Sequence, residues 1–163
     1  MSVIKRATLE QITFIQNAIH RLEPYTSGKE VSFYDGYAAH RNAPREGPPG
    51  AMPMAPDPNT YCDSNVIKKI QRDLHWVLRR MKLGKSVKVR AMFYFCFSIR
   101  KVYHKIRRVY YFDTKLITLV GHVVHESDPI FSELKRIIRF VNKRAECLKK
   151  LIQELDEFDK KYG

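Results

Sequence analysis

Between Leu74 and Phe112 this sequence has no acidic residue. Cysteine is nearly as scarce: Cys62, Cys96 and Cys147 stand far apart and form no C-x-x-C pair. That pattern argues against a disulfide scaffold or a cysteine-based zinc site, and it fits a reducing compartment. No Asn-x-Ser/Thr acceptor occurs, in keeping with a protein that is not secreted. Long apolar runs are missing too. The longest, Ala91 to Ile99, is nine residues, where a membrane helix needs about 20. The opening stretch, MSVIKRATLEQITFIQ, has Lys5 and Arg6 but also Glu10, so it reads as a poor secretory signal and a weak mitochondrial presequence.

Motifs for catalysis are also missing. Gly84-Lys85-Ser86 matches the end of a phosphate-binding loop, but Arg79 stands where its first glycine belongs, and the segment follows a helix instead of a strand. His122, His125, Glu126 and Asp128 lie close in sequence without the H-E-x-x-H order, and a metal needs three or four converging ligands. A surface histidine pair is the simpler expectation. No nucleophile elbow, dinucleotide loop or calcium loop is present. The expectation is a non-enzymatic protein with no cofactor, no metal and no small-molecule substrate.

What is present suits one globular domain. The chain has 163 residues, 44% hydrophobic and 29% charged, enough to bury a single core. Thr8 and Gln11 have capping-box spacing, and Leu9, Ile12, Ile15, Ile19 and Leu22 follow at helical intervals until Pro24. From Pro24 to Asn59 the chain holds seven of its eight prolines and four of its seven glycines, which excludes a helix or a central strand. This is an extended arm, and its Phe33, Tyr34, Tyr37, Arg41 and Arg45 are anchors for a neighbouring subunit.

A second helix is capped by Asp63 or Ser64, carries Ile67, Ile70, Leu74, Val77 and Met81 on one face, and stops at Gly84. A third runs from 128 to 162, with Asp128 as its cap and Pro129 in its first turn. Ile130, Leu134, Ile137, Val141, Ala145, Leu148, Ile152 and Leu155 form its apolar series. Phe131, Ile138 and Leu151 broaden that face to the width of a bundle helix.

Residues 86–125 fit two periods. Val87, Val89, Ala91, Phe93, Phe95, Phe97 and Ile99 alternate as in a strand, while Ile99, Tyr103, Ile106 and Tyr110 keep helical spacing. The fold expected is mainly α: a small bundle of three to four helices with a long Pro/Gly-rich arm. Residues 1–23 form an N-terminal helix, 24–60 the arm, and 61–163 a basic helical domain. The alternative is α+β, with a strand or hairpin within 86–125.

The charge is the strongest functional signal. Thirty Lys and Arg oppose 17 Asp and Glu, a net charge of +13. The acid-free window alone contains Arg79, Arg80, Lys82, Lys85, Lys88, Arg90, Arg100, Lys101, Lys105, Arg107 and Arg108. Such a run repels itself unless a polyanion neutralises it, and contact with phosphates releases counterions. Trp76, Tyr94, Tyr103, Tyr110 and Tyr111 are candidates for stacking on unpaired bases, although a small domain tends to bury its aromatics. The apolar stretch within 88–108 is therefore expected in the core, with the basic clusters beside it as the interface.

These observations point to a structural subunit of a large assembly. The leading expectation is an organellar, mitochondrial ribosomal or ribonucleoprotein subunit contacting RNA. One alternative is an accessory subunit of a respiratory membrane complex, meeting anionic lipid or an acidic protein surface. The other is a viral or regulatory binding protein, in the cytoplasm or nucleus.

Overall fold

The computed structural model describes residues 3–26, 64–91, 93, 98–123 and 131–163. Among them the chain is mainly helical. The elements run β1 (Val3–Ile4), α1 (Leu9–Leu22), a 3-10 turn (Glu23–Tyr25), α2 (Ser64–Lys82), β2 (Val87–Lys88), α3 (Ile99–Val123) and α4 (Phe131–Tyr162). The arm's Phe33, Tyr34, Tyr37, Arg41 and Arg45 lie outside the described residues. So do the expected caps Asp63 and Asp128, together with Pro129, His125 and Glu126.

Helix α1 starts where the sequence places it. The Gln11 N–H donates to Thr8 Oγ1 at 3.3 Å and the Thr8 N–H donates to Gln11 Oε1 at 2.8 Å, so two otherwise orphaned donors are satisfied together. Residues 3–7 are not helical. Val3 and Ile4 pair antiparallel with Lys88 and Val87, which fastens the start of the described chain to the segment after α2.

Helix α2 buries all five residues of its expected apolar face, Ile67, Ile70, Leu74, Val77 and Met81. It ends in a Schellman cap. Gly84 takes φ +69°, its N–H donates to the Met81 carbonyl at 3.1 Å, and the Lys85 N–H donates to the Arg80 carbonyl at 2.9 Å. Gln71 ties this helix to α1, donating from Nε2 to the Ile19 carbonyl at 3.0 Å and to Glu23 Oε2 at 2.9 Å.

The ambiguous middle resolves into both periods in succession. Val87 and Val89 are buried while Lys88 and Arg90 are exposed, so strand alternation holds through residue 90. Among the described residues this strand pairs with the N-terminal β1. Helix α3 then begins behind Ser98, a buried cap whose Oγ accepts the Lys101 N–H at 3.2 Å. The Arg100 N–H donates to the Val89 carbonyl at 2.8 Å, joining the end of β2 to the first turn of α3. The stretch at 115–123, which suited either period, continues that helix.

The core gathers Ile15, Ile19 and Leu22 of α1, the α2 face, and Ile99, Val102, Tyr103, Ile106 and Val109 of α3. Leu148, Leu151, Leu155 and Phe158 of α4 join it, together with Ile4 and Val87 of the small sheet and Val89 just after it. Where α3 and α4 meet, Arg144 and Asp113 form a two-pronged ion pair: Nε donates to Oδ2 at 2.9 Å and Nη2 to Oδ1 at 2.6 Å. Both side chains are almost wholly out of solvent.

Candidate nucleic-acid interface

Two helices share the basic surface. On α2 the buried face leaves Lys68, Lys69, Arg72, Trp76, Arg79 and Lys82 exposed along the opposite side. Arg79, Arg80 and Lys82 lie in its last turn, where the helix dipole favours cations. Arg80 is held in place, donating from Nε to the Ser86 carbonyl at 3.0 Å, with its guanidinium 5.0 Å from the Trp76 ring centre. Lys85 and Lys88 follow on the exposed turn and strand.

On α3, burial of Val102, Tyr103, Ile106 and Val109 turns His104, Arg107, Arg108, Tyr111 and Lys115 outward, with Arg100, Lys101 and Lys105 half-buried beside them. A bridge from Lys105 Nζ to Asp73 Oδ2, 2.6 Å long, links α3 to α2. Arg100, Lys101, His104, Lys105 and Arg108 line one open pocket of about 580 Å³ together with Ala91 and Phe93. The Arg107 guanidinium instead stands 5.7 Å from the Tyr103 ring. None of the α2 cations is among the residues lining this pocket, so of the eleven candidates it gathers Arg100, Lys101, Lys105 and Arg108.

The acid-free window is less self-repelling than its sequence implies, because acids from elsewhere in the chain reach into it. Asp159 of α4 accepts from Arg90 through both carboxylate oxygens, at 3.2 and 3.0 Å, and lies 3.6 Å from Arg100. Asp73 pairs with Lys105. Arg90, Arg100 and Lys105 are therefore offset by carboxylates within the chain and do not need an outside polyanion to neutralise them. Among the described residues Arg79, Lys82, Lys85, Lys101, Arg107 and Arg108 take no carboxylate.

The aromatics divide. Tyr103 is buried in the core, as expected of the apolar stretch. Trp76, Phe93 and Tyr111 are 41%, 57% and 54% exposed, each among cations. Lys115 stands 5.2 Å from the Tyr111 ring, and Arg108 stands 5.5 Å from that of Phe112. Tyr94 lies outside the described residues.

His104 has its pKa held below the ordinary histidine value, first by partial burial and then by the Arg100 and Arg107 charges. Its imidazole is neutral at pH 7 and offers one donor and one acceptor to the pocket. Lys68, Lys69, Arg72 and Lys115 lie outside the acid-free window, and His104 lies within it but is not a fixed cation. The α2 spacing was enough to find the first three, since each falls opposite Ile67, Ile70 and Leu74.

Among the described residues no group of histidine, cysteine and acidic side chains is arranged to hold a metal. None of the described helices is long and apolar enough to cross a membrane. Comparison with known proteins finds no matching family model, no similar curated protein and no similar solved structure.

Proposed function

We propose that this chain is a non-enzymatic subunit of a ribonucleoprotein particle, of ribosomal type and mitochondrial, that contacts RNA phosphates through the outward faces of α2 and α3. The observation that carries this reading is the set of cations with no carboxylate partner among the described residues, Arg79, Lys82, Lys85, Lys101, Arg107 and Arg108, together with exposed Trp76, Phe93 and Tyr111. Cations provide phosphate contacts of no sequence preference, and exposed rings give unpaired bases a stacking surface. The arm at 24–60 would then serve as the grip on neighbouring subunits.

A second reading draws on Leu83, which is 63% exposed between Lys82 and Lys85 and follows Trp76 by two turns. An apolar side chain flanked by lysines and an indole also suits anionic lipid head groups, as an accessory subunit of a respiratory complex requires. Sedimentation of the native assembly distinguishes the two. A ribonucleoprotein subunit moves to lighter fractions after nuclease and ignores mild detergent. A respiratory subunit leaves the membrane only with detergent and is insensitive to nuclease.

A further inference from the structure

The α3 pocket has features that a phosphate-binding surface alone does not need. It is concave, with a volume of about 580 Å³, within the range of small-ligand sites. One wall carries the Phe93 ring, more than half exposed. Its cations are not equivalent. Arg100 is engaged by Asp159 and Lys105 by Asp73, whereas among the described residues Lys101 and Arg108 take no carboxylate. Those two stand seven residues apart, about 10 Å along the same side of the helix. His104, neutral and exposed, lies between them.

Resting on the RNA-binding reading, we propose that this pocket holds an unpaired nucleotide of single-stranded RNA, its base stacked on Phe93 and its backbone phosphates met by Lys101 and Arg108. An aromatic ring can stack only on a base taken out of a helix, so the pocket discriminates between strand states in a way that the cations cannot. His104 supplies the hydrogen-bonding edge, and Arg100 and Lys105, fixed by their own carboxylates, form the walls.

The test is fluorescence anisotropy with the full chain, using a labelled 12-nucleotide oligouridine and an RNA duplex of equal length. The variants are Phe93→Leu and Phe93→Tyr. Phe93→Leu keeps an apolar side chain and removes the π face, and it should weaken single-strand binding about 5- to 100-fold while leaving duplex affinity and the salt slope unchanged. Phe93→Tyr should bind as the wild type does. The pocket assignment is overturned if Phe93→Leu binds the single strand with wild-type affinity, or loses single strand and duplex equally. If the wild-type chain binds neither RNA at about 50 mM salt, the RNA-binding reading itself fails, and the pocket assignment with it.

Discussion

Asp113 and Arg144 are 1% and 0% exposed, and they pair through carboxylate and guanidinium. A buried pair recovers its desolvation cost only while both partners remain, so losing one leaves an uncompensated charge. Asp113→Ala is expected to destabilise the fold by about 3–5 kcal/mol, read from a urea or thermal melt followed by circular dichroism. The paired replacement Asp113→Leu with Arg144→Met should recover most of that loss. A single variant melting with the wild type would contradict the account of this contact. The pair was not legible in the sequence, because 31 residues separate its members and no local pattern relates them. The same holds for Asp159, which neutralises Arg90 and Arg100 from the far end of α4. Ser98 was missed: it falls on the polar side of the strand alternation, and only the bond its Oγ accepts from the Lys101 N–H shows it as the cap of α3.

Among the elements, α2 was the most completely legible. Its apolar spacing, its C-terminal cations and its glycine stop are all local, and each has its expected place in the fold. Gly84 carries the left-handed turn that ends the helix, and a Cβ there would meet nothing within 4 Å. Gly84→Ala should therefore cost about 1–2 kcal/mol through backbone strain alone, seen as a shift of the denaturant midpoint, with Gly84→Asn costing less. An unchanged midpoint would show that the cap is not under that constraint. The segment from 87 to 99 was undecidable because it belongs to two elements. Its first two residues, Val87 and Lys88, pair with a strand at the N-terminus, which no local period encodes, while Ile99 already begins the helix. The candidate surface was legible as composition, since its cations crowd one window. Which of them have internal partners, and which aromatics stay outside, depended on how α2, α3 and α4 pack.

At the scale of the whole molecule, three acids of α1 and α4 pair with described cations, Glu10 with Lys161, Glu154 with Arg21 and Asp159 with Arg90, while the exposed residues described on α2 and α3 include cations and no acid. Exposed pairs of this kind add little stability, so the net charge of +13 is more informative about partners than about folding. The measurement that tests this most directly is a salt titration of single-stranded RNA binding, comparing the wild type with Arg79→Gln/Lys101→Gln/Arg108→Gln. Phosphate contacts on this surface predict a steep linear fall of log affinity with log salt, and a slope shallower in the variant by about 0.7 for each of the three cations replaced. Equal slopes for the two proteins, or no binding at low salt, would contradict it.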